Sequence, residues 1–126
     1  MTQSDVASST SCPLVSIIVR THERPVWLER AAQSLQRQTY PYFEAVIVDD
    51  QSGTETQTLC KNLTESDERF NYRRTPQRLR LGGKTLNFGL TFCTGAFVAF
   101  LDDDDWWEPT KLERQVRVMQ AGDERL

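Results

Sequence analysis

The stretch "GAFVAFLDDDDWWEPTKLERQV", residues 95 to 116, decides the fold. Ala96 to Leu101 is the most apolar run of the chain, and it ends in four consecutive aspartates. A short, continuous apolar run of this kind predicts a strand inside a sheet. Pro109 fits the first turn of a helix, and Leu112, Val116 and Met119 then recur on one face with charged residues opposite. The segment reads as a strand, an acidic exit and a helix.

Similar units precede it. Leu14 to Val19 is apolar and β-branched, and Pro25 opens a helix whose Leu28, Ala31, Ala32 and Leu35 repeat until the break at residues 39–41. Phe43 to Val48 forms a second strand ending in Asp49 and Asp50. The turn Gln51-Ser52-Gly53 leads to a helical face of Leu59, Cys60 and Leu63. Phe70 to Arg74 is a weaker third strand, and after Gly82 and Gly83 the residues Leu86, Leu90 and Cys93 predict a third helix. Strand and helix alternating four times predict an α/β fold: a Rossmann-like parallel sheet with right-handed crossovers and helices on both faces.

Composition sets the outer bounds. A chain of 126 residues suits one domain with one core. Its residues are 38% hydrophobic and 26% charged, a globular balance. Expected boundaries are a polar leader at 1–13, a folded domain at 14–120 and a tail at 121–126. The net charge of −3 gives no general attraction to nucleic acid, and none is expected as a partner, although basic residues gather between Arg69 and Lys84. No apolar run approaches the roughly 18 residues of a membrane span, and the polar start does not resemble a signal peptide. The expected location is the cytoplasm, the inner membrane face included. Cys12, Cys60 and Cys93 are odd in number and far apart, which predicts reduced thiols, with Cys60 and Cys93 inert among apolar neighbours.

In open parallel sheets ligands bind beyond the carboxyl ends of the strands. That rule selects residues 20–24 after strand one, Asp49 and Asp50 after strand two, and Asp102 to Asp105 after strand four. Carboxylates gathered on one rim repel one another unless a cation offsets them. A hard divalent ion, magnesium or manganese, takes one or two carboxylates with phosphate and water oxygens completing its shell. In extended backbone Asp102 and Asp104 point to the same side, which makes them the expected metal ligands, while Asp103 points elsewhere. The plainer alternative is a solvated acidic turn with Asp105 or Glu108 capping the next helix.

Missing motifs narrow the ligand. No Gly-x-Gly-x-x-Gly follows strand one, so a dinucleotide cradle is absent. Gly83-Lys84-Thr85 imitates the end of a phosphate loop, but Arg78 stands where the earlier glycine belongs. A receiver domain carries its acidic pair after the first strand, whereas here the pair follows the second. A haloacid-dehalogenase-like phosphatase expects threonine where Trp106 stands.

Three blocks, "VSIIVRTHERP", "QTYPYFEAVIVDDQSG" and "GAFVAFLDDDDWWEPTKLERQV", resemble the family 2 glycosyltransferases, in order and at suitable spacing, from Val15 to about Met119. The resemblance implies the N-terminal portion of the A-type glycosyltransferase fold, binding a nucleotide-diphosphate sugar, with a UDP-sugar favoured. It places Thr21, His22 and Glu23 near the nucleoside and gives Asp50 the uracil hydrogen bond. Asp102-Asp103-Asp104 matches the Asp-x-Asp signature, its outer residues serving metal and ribose, and Asp103 is expected among the residues that bind the nucleotide sugar. Plainer roles exist for two of these: His22 as a loop residue and Asp50 as a helix cap.

Among the basic residues, Lys84 is the expected phosphate contact. Asn87 and Gly89 match the family's Arg-Asn pair and glycine, but Leu86 replaces the arginine. The implied chemistry is inverting transfer to an acceptor hydroxyl, with acceptor and sugar unspecified. Its general base lies well downstream of the signature in the family, and no residue here is assigned that role. Trp106 and Trp107 are expected to pack the rim. The competing function is a non-catalytic nucleotide-sugar-binding module.

Overall fold

The computed structural model describes residues 12–122; the ends of the expected leader and tail, 1–11 and 123–126, lie outside the described residues. Eight elements follow in the expected order: β1 (Val15–Thr21), α1 (Pro25–Gln36), β2 (Phe43–Asp49), α2 (Thr54–Ser66), β3 (Phe70–Arg74), α3 (Gly82–Leu90), β4 (Phe97–Asp102) and α4 (Lys111–Gln120). All strand pairs are parallel and the sheet order is β3-β2-β1-β4. Strand order therefore reverses between β1 and β4, where an open sheet forms its crevice.

Alternation along the strands divides the core. Val15, Ile17 and Val19 with Ala45 and Ile47 pack against Leu28, Ala31, Ala32 and Leu35 of α1, Cys60 and Leu63 of α2, and Leu112 and Val116 of α4. Ile18, Val46 and Val48 face the opposite way, onto Leu86 and Phe88 of α3 and the Phe92-Cys93 turn. Period-two alternation thus lets two apolar faces be covered by different helices. Burial pushes the Cys60 thiol up to about 12, in keeping with an inert role.

On the α3 face, contact is close enough to exclude a side chain: a Cβ on Gly89 would lie 2.9 Å from both Ile18 Cγ2 and Val48 Cγ2. The other face is fastened through Gln38, whose amide nitrogen donates to Glu108 O at 2.7 Å while its oxygen accepts from Leu112 N at 3.0 Å. These bonds hold the end of α1 beside the start of α4.

Some boundaries differ from expectation. β1 runs on to Thr21 and β4 to Asp102, whereas α3 stops at Leu90 and leaves Cys93 in the following turn. β4 is an edge strand, so its apolar run is only partly covered: Val98 is 40% and Phe100 52% exposed, on the face that α3 leaves open. Met119, expected on the buried stripe with Leu112 and Val116, is 41% exposed. Trp107 is buried and Trp106 is not.

Candidate functional site

The carboxyl ends of β1, β2 and β4 surround a polar cleft of about 440 Å³, lined by Arg20, Thr21, His22, Arg24, Asp50, Arg78, Arg80, Thr85 and Asp102 to Asp104. That size is within the range of small-molecule sites. A larger groove of about 880 Å³ follows the open edge of β4 and α4, but apolar side chains dominate its lining and its charged residues lie on the α4 side. The strand-end cleft has the convergent charge that a polar ligand needs.

β4 stops at Asp102, and a turn follows in which Asp105 N donates to Asp102 O at 3.0 Å. The extended geometry expected for Asp102 and Asp104 therefore does not hold beyond Asp102. The two carboxylates are instead separated by the arginines they meet: Arg20 Nη2 lies 3.1 Å from Asp102, and Arg24 Nη1 lies 3.2 Å from Asp104 and 3.6 Å from Asp103. Asp103 turns inward, where its Oδ2 accepts from Thr21 Oγ1 at 2.8 Å. Burial pushes its carboxyl above the ordinary range, against the pull of Thr21 and Arg24.

Asp50 is almost wholly buried, and its role differs from a helix cap. Oδ1 accepts from Leu79 N at 2.7 Å and Thr75 Oγ1 at 3.0 Å; Oδ2 accepts from Arg80 N at 2.9 Å and from Arg78. Burial alone would raise its pKa, yet the two backbone amides, the hydroxyl and the guanidinium together hold it below the ordinary value. Arg80 has φ 65° and presents its amide to this carboxylate. That φ is in the left-handed region. The helix turn after β2 is served instead by Asp49, whose Oδ1 accepts from Ser52 N at 2.9 Å while Oδ2 accepts from Tyr72 and Arg74.

His22 Nδ1 is 2.7 Å from the Asp50 carbonyl oxygen. A carbonyl can only accept, so Nδ1 carries the hydrogen. Glu23 does not line the cleft. Its backbone, at φ 54°, reaches Ser52, and its carboxylate accepts from Gly53 N at 3.0 Å beside the start of α2. Lys84 is exposed on α3 and is also absent from the lining. The cations of the cleft are Arg20, Arg24, Arg78 and Arg80. Sequence reasoning selects the segment containing Arg20 and Arg24 but gives neither a role; their spacing from Pro25 carries no signal of a partner about eighty residues away.

Residues 16–125 match the model of glycosyl transferase family 2. A GalNAc(5)-diNAcBac-PP-undecaprenol beta-1,3-glucosyltransferase of Campylobacter jejuni is 38% identical over 93 residues, 74% of this chain and 30% of that relative. Among solved structures, S. aureus TarS residues 1–349 in complex with UDP-GlcNAc superposes with a TM-score of 0.78 at 25% identity, covering 85% of this chain and 31% of the other. The mannosyltransferase PcManGT from Pyrobaculum calidifontis, in complex with GDP-Man and Mn2+, gives 0.75 at 25% identity, covering 89% and 33%. The chain belongs to glycosyl transferase family 2. Its sheet is the N-terminal portion of the A-type glycosyltransferase fold, and it spans about a third of the length of these relatives. Among the described residues no helix is long and apolar enough to cross a membrane.

Proposed function

We propose that the strand-end cleft binds a nucleotide-diphosphate sugar, a UDP-sugar by preference, with a divalent cation, as the donor half of an inverting glycosyltransferase. The observation that carries this is the meeting of four arginines with Asp102, Asp103 and Asp104 at the switch point of the sheet. The similarity to proteins solved with UDP-GlcNAc and with GDP-Man and Mn2+ supports the ligand class.

The residues fit a hard cation. Asp102 and Asp104 offer half-exposed carboxylate oxygens, and among the described residues no group of three or more His, Cys, Asp or Glu is placed to hold a metal ion, so the protein would supply two such ligands at most. Magnesium or manganese with two carboxylates draws its remaining oxygens from donor phosphates and water. When bound, such an ion supplies Lewis-acid stabilisation of the leaving diphosphate.

The chain's own residues supply positioning and charge. Thr21 and Asp103 form the floor between β1 and β4, His22 is held by the Asp50 carbonyl at the position proposed to meet the nucleoside, and Glu23, outside the lining, ties the exit of β1 to Gly53. Arg20 and Arg24 offset the carboxylates and are near enough to meet phosphate. For Asp50, direct acceptance from uracil requires one of its four donors to leave. Arg78 and Thr75 are the two side-chain donors, and departure of either keeps both backbone bonds. Lys84, exposed beyond the cleft, is not assigned a phosphate.

The test is calorimetric titration of the chain with UDP, GDP and TDP, with and without manganese. Metal-dependent binding with UDP tightest is the expected result. Equal binding of all three without metal would sink the reading.

A further inference from the structure

We propose that Arg20 positions the donor diphosphate and is parked on Asp102 until a divalent cation takes that carboxylate, with Gly82 providing the clearance through which it reaches. The inference rests on the donor-site reading and adds a residue and an exchange to it.

Arg20 is near the end of β1, and its side chain crosses the first residue of α3 to reach β4. A Cβ at Gly82 would lie 2.1 Å from Arg20 Nη1 and 3.3 Å from Cζ, so a side chain there obliges the guanidinium to shift, a small movement for the far end of a partly exposed arginine. The pair that results is open to water, the Arg20 side chain being 37% and that of Asp102 55% exposed. Such pairs add little to stability. A guanidinium beside the start of a helix also opposes the helix dipole. Stability therefore does not account for the arrangement. An anion between the arginine and the start of α3 would satisfy both, and a guanidinium fork matches phosphate oxygens.

A cation on Asp102 draws on the same negative charge and repels the guanidinium that Oδ1 now holds. A cation that takes the carboxylate frees Arg20 at the place where the diphosphate arrives. Loss of Arg20 should then have opposite effects on two ligands. Manganese alone should bind more tightly, because a competing positive charge is gone, while UDP with manganese should bind at least about tenfold more weakly.

The experiment measures manganese alone, UDP with manganese and UMP with manganese by calorimetry on wild type, Arg20→Gln, Arg20→Lys and Gly82→Ala, with melting curves for each. Expected are tighter manganese and weaker UDP for Arg20→Gln, a smaller loss for UMP, partial recovery in Arg20→Lys, and a weaker form of the Arg20→Gln pattern in Gly82→Ala, where the guanidinium is shifted and not removed. Arg30→Gln, which removes a cation stacked on Trp27 away from the cleft, should change none of these. Parallel weakening of manganese and UDP, or no change in either, would overturn the inference while leaving the donor site standing. A wild-type chain that takes up no UDP would overturn both.

Discussion

Thr21 donates its hydroxyl to Asp103 across 2.8 Å, joining the ends of β1 and β4, which are neighbours in the sheet and 82 residues apart in the chain. The bond is buried, so Asp103 is tied to β1 before any ligand arrives.

Thr21→Val keeps the shape and removes the donor. The loss should be about 1–3 kcal/mol at pH 7, because a buried carboxylate loses a partner. Asp103 already has a folded pKa above its unfolded value, so its charged form is the destabilised one. Without Thr21 the folded value rises further, and the deficit should shrink as pH falls through it. Urea denaturation at pH 7 and pH 4.5 measures this; a deficit constant with pH would refute it.

Asp104→Ala should weaken manganese-dependent UDP binding by at least about tenfold. Asp67→Ala is the comparison. Asp67 is tied to Arg69 Nη2 at 2.9 Å, and neither lines the cleft, so its loss should leave binding intact. Equal effects in a titration would dismiss Asp104 as a ligand.

Asp50→Asn removes the charge that gathers Thr75, Arg78, Leu79 and Arg80. A stability loss of about 2 kcal/mol is expected, the scale of hydrogen bonds to a buried charged group. The folded pKa lies below the ordinary 3.8. The stabilisation is therefore present above that ordinary value and is lost as pH falls through the folded one. The acid limb of the wild-type stability curve should be flatter in Asp50→Asn, as chemical denaturation between pH 6 and pH 2.5 would reveal.

Gly89→Ala tests how closely α3 lies on the sheet. Contacts of 2.9 Å with two β-branched side chains leave no room. Overpacking of this kind costs about 1–3 kcal/mol. An unchanged melting temperature would mean that Ile18 and Val48 yield freely.

The sheet is legible because its central strands are apolar on both faces, so Val15 to Val19 and Phe43 to Val48 admit little else. The acidic exit of β4 is legible for the same reason: its carboxylates follow directly on an apolar run. What those carboxylates touch is not. Extended backbone is the simplest expectation for Asp102 to Asp104, but the strand ends at the first of them, and the turn sends Asp103 inward. Their arginine partners come from the register of β1 against β4, a relation between segments about eighty residues apart that no local pattern encodes. Lys84 has motif-like neighbours, yet it is Gly82, two residues earlier, that lies against the Arg20 guanidinium.

The open edge of β4 bears on how the molecule behaves in a tube. Among the described residues β4 pairs only with β1, so its other side presents unpaired amides and carbonyls flanked by Val98 and Phe100. An apolar edge of this kind is a template for another chain's backbone. Solubility of the 126-residue chain should therefore be limited by self-pairing along this strand, and Val98→Lys should lower light scattering of concentrated solutions without altering the cleft at the far end of the strand.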